Sequence, residues 1–172
     1  MAATELLVPH PDRRWCAIHT KARHEKKVAA VCTGLGTPSY LPTIIHRTFS
    51  GGKVNTFELP MFAGYVFAAV GARDWLPLKQ TNSVAQRLDT RDEPGLLRDL
   101  AHVRTIELAH VELALATTLR RGQRVIVTAG PLAGVEGTVI RYKNRTRLQV
   151  FVETIGQGVL VDVPQDALTP LV

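Results

Sequence analysis

The sequence predicts an α+β chain in two parts: a mixed α/β region followed by a small β-barrel. Three observations carry that reading. The apolar run Trp15–Thr20 gives way from Arg23 onward to a helical spacing. The stretch from Leu96 to about Ala116 has no Pro or Gly and is rich in Leu, Ala and Glu, which favours a long helix. Past Gly122 no helical pattern remains, and β-branched residues alternate with period two. The divisions expected are a flexible leader over 1–13, a first domain over 14–116, a joint over 117–122 and a second domain over 123–172.

Each element has its own local cause. Trp15–Thr20 is short, apolar and partly β-branched, as a buried strand should be. Val28, Val31, Cys32 and Leu35 then fall at i, i+3, i+4 and i+7 on one helix face, and Gly34, Gly36 and Pro38 stop that helix. Tyr40–Phe49 and Val54–Leu59 read as hairpin strands around the turn Ser50-Gly51-Gly52-Lys53. Phe62–Val70 is dense in aromatic and β-branched residues and reads as a core strand. Pro77 suits a first helical turn near Trp75–Leu78, Val84–Leu88 suits a further strand, and Asp92-Glu93-Pro94-Gly95 opens the long helix. In the last third, Val125/Val127, Leu148/Val150/Val152 and Val159/Val161/Val163 each share a strand face, separated by Gly- and Asn-containing turns.

Composition narrows the function classes. With 45% hydrophobic and 21% charged residues, the 172-residue chain has ordinary globular composition. The absence of a long apolar run and of a signal-peptide pattern leads to the expectation of a soluble, cytoplasmic, monomeric protein with no membrane partner. Cys16 and Cys32 are neither a disulfide framework nor a zinc set, and no cofactor or metal is expected. The formal charge is +6, but its distribution is uneven: about +5 over residues 1–57, −2 over 58–116 and +3 over 117–172. Basic charge at both ends of the chain suits polyanion contact at two places.

The segment Val125–Tyr142, VIVTAGPLAGVEGTVIRY, spaces its glycines as G-P-x-x-G-x-x-G-x-V. Gly130 and Gly134 suit positive φ, and Gly137 a sharp bend. No Gly-Lys-Ser/Thr follows, so it is not a nucleotide loop. The segment resembles the KOW motif of SH3-like barrels in transcription and ribosomal proteins. Near the N-terminus stand WCAIHTKARHEKKV and ELPMFAGYVF. With these, the chain from about Arg14 onward resembles the NusG family, in which an α/β domain with an antiparallel sheet (the NGN domain) precedes a KOW barrel. The form HTKARHEKKV and the Gly-Gly hairpin are closest to specialised paralogues of the UpxY and RfaH kind.

The resemblance implies a transcription elongation and antitermination factor that binds without catalysis. Its first domain would dock on the clamp helices of RNA polymerase through His19, Tyr40, Leu41, Phe62, Ala63 and Phe67, with Ala63 standing where the family usually has proline. Lys21, Arg23, His24 and Lys27, with Thr81 and Asn82, would contact the non-template DNA of the transcription bubble. Asn82 replaces an arginine of RfaH. Asp74-Trp75-Leu76-Pro77 falls where RfaH touches the polymerase's second large subunit, with different chemistry. In the barrel, Thr154, Ile155 and Gly156 would engage the Rho termination factor or a small-subunit ribosomal protein, Ile155 acting as an exposed apolar anchor. Arg141, Lys143, Arg145 and Arg147 flank one turn as a basic rim for nucleic acid.

The alternative is a KOW-type RNA-binding protein of translation or ribosome assembly. Against it, the first domain lacks the aromatic strand pair of an RRM. An enzyme has no legible support: His24-Glu25 lacks the second histidine of a metalloprotease helix, and no nucleophile grouping is visible.

Overall fold

The computed structural model describes residues 6–172, the Tyr142 side chain excepted. Residues 1–5 of the expected leader lie outside the described residues. Residues 6–13 are tied down: the Trp15 indole donates to the Val8 carbonyl at 2.7 Å, and Arg13 pairs with Asp74 at 3.1 Å. The chain divides into two compact units, one running to Glu93 and one spanning Pro94–Val172.

The first unit is built on a four-stranded antiparallel sheet of β1 (Arg14–Thr20), β2 (Ser39–Tyr40), β5 (Tyr65–Val70) and β6 (Val84–Asp89), in the order β2-β5-β1-β6. Cys16 pairs with Ala68 and Ile18 with Val66. These even-numbered side chains pack with Val28 and Cys32 of α1 (Glu25–Leu35) and Leu78 of α2 (Trp75–Gln80). The odd-numbered Trp15, Ala17, Phe67 and Ala69 are buried as well. Both faces of β1 are therefore covered, which is why its sequence is a continuous apolar run and not an alternation. Helix α1 ends in a Schellman cap: Gly36 is left-handed at φ 70°, and the Thr37 amide donates to the Cys32 carbonyl at 2.9 Å. Between β2 and β5 stands a separate two-stranded ribbon, β3 (Thr43–Ser50) with β4 (Lys53–Pro60).

Two details of this unit depart from expectation. The core strand starts at Tyr65 and not at Phe62; residues 61–64 form a turn closed by the Tyr65 amide on the Phe62 carbonyl at 3.2 Å. Asp74, expected in a surface motif, is buried. It accepts from the Gly71 amide at 2.7 Å, the Thr37 hydroxyl at 2.9 Å and the Arg13 guanidinium.

Helix α3 (Glu93–Ala109), in the second unit from Pro94 onward, buries Leu96, Leu97, Leu100, Val103 and Ile106 along one stripe. The helix stops earlier than its composition suggests. His110 is left-handed at φ 51°, and Leu113–Ala116 is strand β7, paired with the strand 157–162 through Val159 and Leu115. An available sheet edge overrides the helix propensity of Leu-Ala-Leu-Ala. The remaining strands are β8 (Arg124–Val127), β9 (Glu136–Tyr142), β10 (Arg145–Val152), β11 (Gln157–Asp162) and β12 (Leu168–Pro170). They form a small barrel-like antiparallel sheet in the order β12-β8-β9-β10-β11-β7, with Val125, Val127, Leu148, Val150, Val159 and Val161 inside.

Gly130 and Gly134 have positive φ, at 84° and 91°. Gly137 does not, and its role is close approach: a Cβ there would strike the Gln149 carbonyl. The buried Gln149 also holds the expected joint, donating to the Thr118 carbonyl at 2.8 Å and accepting from the Arg120 amide at 3.0 Å.

Candidate nucleic-acid interface

The corner after β1 is made by two loops stitched together. The Lys21 amide donates to the Ser83 carbonyl at 2.9 Å, and the His24 amide to the Lys21 carbonyl at 3.0 Å. Each loop carries one non-glycine residue in the left-handed region, Arg23 at φ 64° and Asn82 at φ 59°. Asparagine tolerates that conformation; arginine there is uncommon and reflects the tight turn from strand to helix.

Side chains complete the joining. Lys21 Nζ donates to Asn82 Oδ1 at 2.9 Å, and His24 Nδ1 shares a 2.9 Å hydrogen bond with Ser83 Oγ. Thr81 turns inward, its hydroxyl donating to the Leu78 carbonyl at 2.7 Å and accepting from the Ser83 amide at 3.3 Å. Thr81 therefore shapes the loop and does not project from it. Ser83, which sequence reasoning missed, is the buried pin between the loops. Its one legible signal was the turn-forming run Thr81-Asn82-Ser83.

The corner is strongly positive. Lys21, Arg23 and Lys27 are exposed, and among the described residues none of them is in a salt bridge. Glu25, the acid of the first helical turn, is buried and accepts from the Gly64 amide at 2.8 Å. That leaves the N-terminal end of α1 facing solvent with cations and no exposed carboxylate of its own first turn. Lys26 points elsewhere, its Nζ donating to the Glu58 carbonyl on β4 at 2.6 Å. Three cations, one amide and one imidazole on a single edge suit phosphate neutralisation combined with hydrogen bonds to base edges.

The model of the NusG family, described as transcription termination factor nusG, matches residues 13–106, more than half of the chain. The chain belongs to the NusG family. The match takes in the whole corner. Among solved structures, this NusG-family chain is similar to that described as domain interaction in Thermotoga maritima NusG, at 13% identity and a TM-score of 0.49. That comparison covers 93% of this chain and 98% of the other. It is also similar to the MjSpt4:Spt5 complex in conformation B, at 17% identity and a TM-score of 0.28, covering 91% of this chain and 96% of that one. None of the curated proteins matches.

The apolar face expected of a NusG-family chain is not built as the sequence suggested. Phe62 and Phe67 are 0% exposed and Tyr40 only 4%. The two phenylalanine rings meet edge to face at 6.5 Å, because the turn 61–64 rotates Phe62 inward beside Phe67. What reaches solvent nearby is Ala63, with His19 and Leu41 half-buried. His19 stacks on Tyr65 at 5.0 Å between ring centroids.

Two expectations for the barrel also change. Ile155 is 8% exposed, held inward by the turn Glu153–Ile155 that ends at left-handed Gly156; Thr154 is half-buried. The loop tip therefore has no exposed apolar anchor. Arg145 and Arg147 both reach Asp162, at 3.5 and 3.1 Å, so one carboxylate offsets part of the rim, while Arg141 and Lys143 stay exposed.

Nearby on α3, burial pushes the Asp99 carboxyl up to about 6, against the lowering effect of its hydrogen bond to the Glu153 backbone. Burial likewise lowers His102 below the usual imidazole value. The two thiols are inert in character, burial raising Cys16 to about 12 and Cys32 to about 11.

Proposed function

We propose that this NusG-family transcription factor acts during elongation as a non-catalytic tether of the specialised kind. Its first unit holds exposed single-stranded DNA through Lys21, Arg23, His24, Lys27 and Asn82. It docks on RNA polymerase through the solvent-reaching positions Ala63, Leu41 and His19, with Phe62, Phe67 and Tyr40 as the packed floor beneath them. The barrel acts as a KOW module that recruits a second factor, Rho or a small-subunit ribosomal protein, through the segment around Thr154 and Gly156. Arg141 and Lys143 add a cationic rim.

The observation that carries this reading is the corner itself. A lysine and an asparagine from loops 61 residues apart in sequence are joined at 2.9 Å, beside unpaired exposed cations, within the matched segment. Such a surface binds polyanions without performing chemistry. The test is gel filtration of the full chain with core RNA polymerase, then with polymerase carrying an open-bubble scaffold. Co-elution that strengthens when the bubble is present supports the reading. Failure to bind polymerase in either form overturns it.

A further inference from the structure

The ribbon β3–β4 is the part of the first unit that the proposed function leaves unused. Each strand is eight residues long, so the ribbon is about 26 Å long. Its outer half is exposed apart from the half-buried Thr48. Phe49, beside the Gly51-Gly52 turn, is 80% exposed, and its cross-strand partner Val54 is exposed as well. An isolated two-stranded ribbon is marginally stable in water, and one showing large apolar side chains needs a partner.

Charge indicates which partner. From His46 to Phe57 the ribbon carries Arg47 and Lys53 and no carboxylate. Glu58 lies toward the root, where its side chain accepts from the Thr43 hydroxyl at 2.8 Å. Register sorts the outer residues usefully. Arg47 and Thr56 face each other, next to Phe49 and Val54, on one side; His46 with Phe57, Thr48 with Asn55 and, at the tip, Ser50 with Lys53 face each other on the other side, so each face carries one cation. Each face thus mixes hydrogen-bonding side chains with apolar ones, as needed for base edges and thymine methyl groups. The B-form major groove admits a two-stranded ribbon, whereas the A-form RNA groove is too narrow for side-chain readout.

We propose that the β3–β4 ribbon is a second nucleic-acid element that enters the major groove of double-stranded DNA, with Arg47 and Lys53 on phosphates and Phe49 against the bases. It rests on the reading of this unit as a nucleic-acid binder, but it uses residues separate from the corner.

The experiment is fluorescence anisotropy of the full chain with a 20-base-pair blunt DNA duplex, and separately with one of its single strands, over a range of salt. In Arg47→Ala/Lys53→Ala the duplex salt slope should fall by about 1.8, at roughly 0.9 per lost phosphate contact. Phe49→Ser should weaken duplex binding severalfold at every salt concentration. Both variants should leave single-strand binding as it was, and unchanged melting curves would show that the ribbon variants fold. Equal duplex slopes for wild type and the double variant, or no duplex binding, overturn the inference while leaving the corner reading intact. Equal loss on an RNA duplex overturns the groove assignment, as does loss of polymerase binding with unchanged duplex affinity. Single-strand binding indifferent to Lys21 and Lys27 would instead count against the proposed function.

Discussion

Lys21 and Asn82 meet across two loops, the ammonium of one donating to the amide oxygen of the other at 2.9 Å. The bond leaves the Asn82 amide nitrogen directed away from the lysine and still able to donate. It also fixes the lysine head, which lowers the side-chain entropy lost when a phosphate binds.

Asn82 sits at φ 59°, so its replacements separate backbone from side chain. Asn82→Gly should keep the loop and the melting temperature within a few degrees while weakening single-strand binding. Asn82→Ala should additionally cost about 1 kcal/mol of stability through left-handed strain. Equal binding by Asn82→Gly and wild type, read by anisotropy, would remove the amide from the interface.

Asp74 is expected to matter for stability and not for binding. Burial acts to raise its carboxyl, but the Gly71 amide, Arg13 and Thr37 outweigh it, and the group lies below its ordinary value. Its contribution is thus present above the ordinary carboxylate value and lost as pH falls through the lowered one. Asp74→Ala should cost about 2 kcal/mol at pH 7 and less in acid, as read by urea denaturation, because Thr37 and the Gly71 amide lose their acceptor.

The second unit should show the opposite sign at Asp99. A carboxyl raised to about 6 favours the folded state while protonated, and that advantage disappears as pH rises through 6. Asp99→Asn should therefore stabilise at pH 7 by on the order of 1 kcal/mol, since solvent still screens the carboxyl, and should have little effect below pH 4. His102, lowered by burial, works the other way below the usual imidazole value, so the single variant His102→Gln is needed to separate the two. Melting temperatures between pH 4 and 8 check both.

Gly137→Ala should be among the most damaging small substitutions in the barrel, alongside one at Gly158, where a Cβ would strike the Val150 carbonyl. The methyl added at Gly137 meets the Gln149 carbonyl and the Leu148 side chain, and backbone cannot retreat cheaply. A loss of about 3 kcal/mol or more is expected, seen by circular dichroism as an unfolded second unit.

Much of the fold was legible because local signals agreed with tertiary demand. The Gly36 cap, the Gly51-Gly52 hairpin and the valine alternation all appear where spacing placed them. Leu113–Ala116 was not legible, since only the waiting edge of β11 makes a strand of a helix-favouring run. The corner was legible as cations, but Ser83 as its pin was not, because a buried serine looks like any turn residue. Phe62 and Ile155 show the limit of reading exposure from residue type: each was expected outward, and a local turn rotates each inward.

The proposed function turns on whether the corner reads the strand exposed in a transcription bubble. The direct measurement is the affinity of the full chain for polymerase complexes assembled with and without the single-stranded part of the non-template strand. Removing that strand should weaken wild type, and Lys21→Ala/Lys27→Ala should erase the difference, with a salt slope lower by about 1.4 for two lost single-strand phosphate contacts. Equal affinity of the wild type for both complexes would contradict the account.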